Sequence, residues 1–190
     1  MFLINDLIAL LAANLILSQA LGTSTLFVAA GSKKDLIGTA CVITLFTTVG
    51  AAAAYCIDSA LPSGISELRL LFYTLVIGAM YVLLLTAVYL IGKGKNTDFR
   101  KYIHISAFNC AVMGTLFTIN ERAVMDESVF SLGEYVSAGF EAGIGFIIAA
   151  LMLTAAYRKL NSSKVPAAFR GFPAMLVYLG IISMAVYSLK

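Results

Sequence analysis

Charge is scarce in this chain. Of its 190 residues only 12% are Asp, Glu, Lys or Arg, whereas 61% are hydrophobic. A soluble domain carries roughly twice that charge fraction. The balance excludes a soluble globular protein and points to an integral membrane protein, at this length a single domain over residues 1–190. Cysteine is scarce too. Cys41, Cys56 and Cys110 all fall in apolar segments; an odd number gives no disulfide framework, and each reads first as a small buried hydrophobe. Missing altogether are a phosphate-binding loop, a catalytic triad, a zinc constellation and a nucleic-acid surface. No cleavable leader is expected, because the first stretch carries Asp6 rather than a basic lead and no small-residue cleavage pattern follows. The loops are short and none holds a soluble domain, so the chain acts inside the membrane or through a partner.

What is present is a set of six apolar segments, each long enough for a span of about 20 residues. They run from about Leu3 to Ala30, Leu36 to Ile57, Leu68 to Ile91, Tyr102 to Ile119, Phe130 to Tyr157 and Phe172 to Leu189. Between them lie the breakers Gly31-Ser32, Pro62-Ser63-Gly64, Gly92-Lys93-Gly94 and Asn161-Ser162-Ser163. The predicted fold class is therefore an all-α polytopic membrane protein. Lys33, Lys34, Lys93, Lys95, Arg100, Lys101, Arg158, Lys159, Lys164 and Arg170 collect on one side, leaving Arg69, Arg122 and Lys190 on the other. Short loops with that bias face the cytoplasm, which places both termini outside in a prokaryotic cytoplasmic (inner) membrane.

Three spans per half reverse the orientation. The halves, about 1–95 and 96–190, are then expected to be inverted three-helix repeats. Each half opens with a polar interruption: Asn14 and Leu21-Gly22-Thr23-Ser24-Thr25 in the first helix, Asn109-Cys110 and Gly114 in the fourth. An amide in hydrocarbon needs hydrogen-bond partners, and a break at membrane depth persists only where protein or water covers the backbone. Helices one and four are thus expected to be broken at mid-membrane. Gly38, Ala40, Gly50 and Ala51 to Ala54 in helix two, and Gly139, Gly143, Gly145 and Ala149 in helix five, allow close packing. Six helices without internal ancestry remain the plainer alternative.

Two residues carry candidate chemistry. Cys110 is a thiol beside an amide in a broken helix, and thiolates ligate iron–sulfur clusters. One thiolate cannot hold a cluster alone, so such a site must be shared with another subunit or another part of the chain. Glu141 in helix five lies roughly 10 Å below Glu134 at the helical rise per residue. A carboxylate at that depth is costly and reads as a proton relay or cation ligand, or as a neutral acid bonded to a neighbouring helix. His104 reads as an interfacial side chain.

Asn109-Cys110-Ala111-Val112-Met113-Gly114, Gly31-Ser32-Lys33-Lys34, Ser137-Ala138-Gly139-Phe140 and Val165-Pro166-Ala167-Ala168-Phe169-Arg170-Gly171 together resemble the A-type membrane subunit of Rnf electron transport complexes (the RnfA family). Its counterpart is the E-type subunit of the sodium-pumping NADH:quinone reductase. The resemblance spans nearly the whole chain. It implies a component without an active site of its own, within a translocase: an ion-translocating ferredoxin:NAD oxidoreductase. It implies pairing with a paralogous E-type Rnf protein in opposite topology, alongside flavin-carrying and ferredoxin-like subunits. It also implies a two-iron two-sulfur (2Fe-2S) cluster shared by the pair, two cysteines from each, relaying electrons across the bilayer with Na+ or H+ movement. One departure stands out. The family motif Leu-Gly-x-Cys-Pro reads Leu21-Gly22-Thr23-Ser24-Thr25 here, so Ser24 replaces a ligand cysteine and Cys110 alone keeps one. Ser24 as an oxygen ligand, completion by a partner cysteine, and loss of the cluster are all open. The rival function is a cluster-free inverted-repeat permease with Glu141 in its ion path.

Overall fold

The computed structural model describes residues 14–61, 68–92, 97–125 and 131–187. The start of the first segment, the Pro62-Ser63-Gly64 loop, Glu67, Lys93, Lys95, Asp126, Glu127 and Lys190 lie outside the described residues. Among the described residues there are eight α-helices and no strand: α1 (Leu15–Gln19), α2 (Thr23–Ala30), α3 (Lys33–Ala60), α4 (Arg69–Gly92), α5 (Thr97–Ala107), α6 (Cys110–Met125), α7 (Leu132–Leu160) and α8 (Phe172–Tyr187). Helices α3, α4 and α7 are each long and apolar enough to cross a membrane. The pair α5 and α6 meets the same test jointly, bent by 45° at its break.

Helix α3 is the axis of the molecule, packing on α2, α4, α5, α6 and α7, with its longest contact to α7. Small residues make that contact possible. A Cβ on Gly139 would come within 2.5 Å of the Thr47 carbonyl oxygen and 2.8 Å of Ala51 Cβ. One on Gly143 would meet Thr44 at 2.6 Å. Gly139 and Gly143 are thus notches where α3 and α7 touch, whereas Gly38 receives Tyr102 of α5, Gly50 receives Ile77 of α4 and Gly145 receives Asn14; close approach of this kind lets helices associate without a hydrophobic drive. Phe46, Ile43, Phe146 and Leu153 fill the seam, fully buried.

Several hydroxyls in these helices bond to their own helix backbone, whereas those of Thr39 and Ser106 are buried without a partner among the described residues. Thr44, Thr48, Thr115 and Thr154 donate to the carbonyls four residues back at 2.7–2.8 Å. This settles a polar group at no cost in partners where lipid supplies none. Helix α4 differs: Leu71, Leu75, Val82, Leu83, Leu90 and Ile91 are all exposed, an apolar surface suited to hydrocarbon.

Helix ends follow local chemistry. Ser131 and Glu134 form a reciprocal capping box that starts α7. After α7, Arg170 donates to the carbonyls of Ser163 (3.3 Å) and Val165 (3.1 Å), and Gly171 takes φ +83° to enter α8. The Val165–Gly171 stretch is therefore a self-bonded turn.

Candidate functional site

Both expected interruptions exist. Between α1 and α2, Ala20 (φ 56°) and Gly22 (φ 75°) adopt left-handed backbone, a conformation glycine takes freely and alanine reluctantly. The turn precedes Thr23, so Ser24 and Thr25 lie inside α2, not in the break. The second interruption falls at Phe108-Asn109, between α5 and α6. Gly114 is not the breaking residue. It lies inside α6, where a Cβ would collide with Leu21.

Two asparagines cap helix starts alike, Asn14 at the start of α1 and Asn109 at the second break. Asn14 caps α1, its Oδ1 accepting from the Ile16 N–H at 3.0 Å. Asn109 stands before α6, its Oδ1 accepting from the Ala111 N–H at 3.1 Å. Each side chain so replaces a backbone partner lost at a helix start. Asn14 also donates from Nδ2 to the Gly145 carbonyl at 2.8 Å, tying α1 to α7. The Nδ2 of Asn109 is buried without a partner among the described residues.

The breaks touch each other. A Cβ on Gly22 would lie 2.8 Å from Ala111 Cβ and 2.9 Å from Asn109 Oδ1, so glycine is what lets the first break seat on the second. Leu21 against Gly114 extends the contact. Two helix N-termini, those of α2 and α6, consequently start at one place, and their positive dipole ends favour an electron-rich group there. Ser24, the second residue of α2, and Cys110, the first of α6, flank this contact and both are exposed.

Other predicted residues fall elsewhere. Glu141 is exposed on α7, one turn before Gly145, whose carbonyl accepts from Asn14. Cys41 and Cys56 are exposed on α3, so none of the three cysteines is the buried hydrophobe that composition suggests. Among the described residues no three His, Cys, Asp or Glu side chains are grouped as a metal site.

One cluster escaped the sequence reading. The Asp58 carboxylate at the end of α3 accepts from Tyr73 OH (2.7 Å) and Tyr135 OH (3.0 Å), with Arg69 Nε at 3.7 Å. Arg69 in turn donates to Asn120 Oδ1 at 3.0 Å. Four helices, α3, α4, α6 and α7, are pinned at one end. Asp58 and Arg69 look like loop charges in the sequence; their only signal was two tyrosines one turn inside apolar spans.

These features define a class: a polytopic membrane subunit whose two broken helices meet and present a thiol and a hydroxyl outward. The Rnf-Nqr subunit family, described as membrane protein, matches residues 5–190, and the chain belongs to it. Among similar proteins, one from Pseudoalteromonas atlantica, named as the A-type subunit of an ion-translocating oxidoreductase complex, is 29% identical over 178 residues, covering 90% of this chain and 87% of its own. A second of that name, from Shewanella loihica, is 26% identical over 175 residues, with 90% and 88% covered. The A-type subunit of the Na(+)-translocating ferredoxin:NAD(+) oxidoreductase complex of Acetobacterium woodii is 24% identical over 180 residues, with 93% and 90% covered.

Proposed function

We propose that the chain is the A-type membrane subunit of an ion-translocating ferredoxin:NAD oxidoreductase complex, and that it supplies half of an iron–sulfur site shared with a paralogous E-type partner. The observation that carries this reading is the seating of Gly22 on Asn109 and Ala111 with Ser24 and Cys110 exposed beside it. The Cys110 thiolate is the usual kind of ligand for a two-iron two-sulfur cluster, which takes four protein ligands; the Ser24 oxygen would serve as the second on this side, and the exposure of both leaves room for two more from a second chain. Cys110 and Ser24 would hold the cluster on this side. Such a cluster accepts and gives up single electrons.

The chain's own residues do the rest. Asn109 and Gly22 fix the two helix starts against each other, so the ligand-bearing residues keep one spacing. Asn14 ties α1, the short helix that leads into the first break, to α7. The positive ends of α2 and α6 offset negative charge at the site. Glu141 is assigned to the ion path, being a carboxylate in an apolar span with no bonded partner among the described residues. The supporting topology is two inverted three-helix halves with both termini outside, the partner running the opposite way, in the cytoplasmic membrane.

Iron content tests the proposal. Cys110→Ala should remove the two irons of one cluster from the purified complex while leaving its subunits assembled. An unchanged iron count would contradict it. A preparation without that iron, whose ion flux disappears in Glu141→Gln, would favour a permease instead.

A further inference from the structure

Of the two capping asparagines only one is fully bonded. Asn14 and Asn109 are 5% and 4% exposed, and each Oδ1 accepts from the backbone N–H two residues on. That bond fixes which amide atom is which, since the reverse would set donor against donor. Asn14 then directs its Nδ2 to the Gly145 carbonyl at 2.8 Å. The Nδ2 of Asn109 is just as buried and meets no acceptor among the described residues. A buried donor left without an acceptor is costly, and hydrocarbon supplies none.

The other unbonded hydroxyls have a simpler remedy. Thr39 Oγ1 and Ser106 Oγ are buried too, but a helical hydroxyl can turn to the carbonyl four residues back, as Thr44 and Thr115 do. An amide whose Oδ1 is engaged in a cap has no such freedom. Its place in the fold narrows the acceptor. The bond to Ala111 closes a turn around Cys110, so the amide lies beside the backbone of that residue. On its other side stands Gly22, two residues before Ser24, where a Cβ would lie 3.3 Å from Nδ2. The free N–H2 group thus sits where the first break meets the start of α6, among the residues that carry Ser24 and Cys110.

We infer that Asn109 Nδ2 donates a hydrogen bond to a sulfur of the iron–sulfur cluster and thereby sets its reduction potential. The inference rests on the shared-cluster reading above and adds to it the residue that tunes the centre. Hydrogen bonds to the sulfurs are one of the means by which a protein sets the potential of such a cluster. The direction follows from charge. Reduction adds one negative charge to the cluster, and an N–H donor favours the more negative form. Asn109 therefore raises the potential.

The test is Asn109→Ser in the assembled complex. Serine caps a helix start about as well as asparagine, carries no charge, and removes the amide donor. The probe is the paramagnetic signal that Cys110→Ala abolishes, followed in a potentiometric titration. At a fixed ambient potential the ratio of reduced to oxidised cluster should fall by about ten-fold in Asn109→Ser, the factor one hydrogen bond to a charged acceptor gives, or roughly 59 mV for one electron. Asn14→Ser, which removes a donor already bonded to Gly145, should lower the melting temperature and leave the potential where it was. In the natural complex, isotope labelling of asparagine side-chain nitrogen should reveal a nitrogen coupling to the reduced cluster by pulsed paramagnetic resonance. That measurement decides the matter should Asn109→Ser fail to assemble. An unchanged potential in Asn109→Ser, an equal shift in Asn14→Ser, or no such coupling in the natural complex would each overturn the inference and leave the shared cluster standing. Absence of any signal that depends on Cys110 would overturn both.

Discussion

Gly22 and Asn109 are the residues on which the site depends. Gly22 combines a left-handed backbone with contact too close for a methyl group. Gly22→Ala should therefore destabilise the chain by about 2 kcal/mol or more, the sum of left-handed strain and overpacking, read as a lowered melting temperature of the detergent-solubilised complex. Asn109→Ala removes a helix cap and should cost about 1 kcal/mol. For Glu141, exposed and unbonded, Glu141→Gln should leave assembly intact and reduce ion transport driven by electron transfer in reconstituted vesicles. Normal transport would make it a packing residue. These roles were partly visible in the sequence, because an amide and a glycine inside a 61% hydrophobic chain have few bland explanations. Gly114 shows the limit: a glycine that admits a side chain from another helix and a glycine that breaks its own helix look alike until the neighbour, Leu21, is known.

At the scale of helices, the α3–α7 seam is set by small residues and should respond to one methyl. Gly143→Ala and Gly139→Ala are each expected to cost about 1–3 kcal/mol by forcing the helices apart. Gly180→Ala in α8, with nothing within 4 Å of its added Cβ, should cost nothing, or stabilise by up to about 1 kcal/mol through helix propensity. The Asp58 knot calls for a double-mutant cycle. Asp58→Asn leaves the half-buried Arg69 without its counter-charge and should destabilise by about 3 kcal/mol, while adding Arg69→Gln should recover part of that loss. Five of the helical segments were legible as apolar runs; four kept their ends to within about three residues, whereas the fourth segment starts five residues before Tyr102 and ends six after Ile119. The knot was not legible, because charges near loop ends look solvated in a sequence. Only the antiparallel return of α4 and α7 past the end of α3 brings Tyr73 and Tyr135 to Asp58. Likewise the first break was placed at Gly22 to Thr25, whereas the chain turns at Ala20 to Gly22 and Thr23 already starts a new helix.

At the scale of the molecule, the proposed function makes the chain a membrane subunit that is incomplete by itself. In the proposed complex the exposed apolar face of α4 meets lipid and the polar face where Ser24 and Cys110 emerge meets a second chain. The proposed orientation, with both termini outside, makes a direct prediction: Ser163→Cys, with the natural cysteines replaced by alanine, should react with an impermeant maleimide only from the cytoplasmic side. The central claim is that this polar face supplies a thiol and a hydroxyl to a redox centre shared with the partner. Its most direct measurement is a potentiometric titration of the purified complex followed by paramagnetic resonance. The natural chain should show a reducible signal that Cys110→Ala abolishes and Ser24→Cys keeps but moves to higher potential. A full set of signals in Cys110→Ala, at unchanged potentials, would contradict the account.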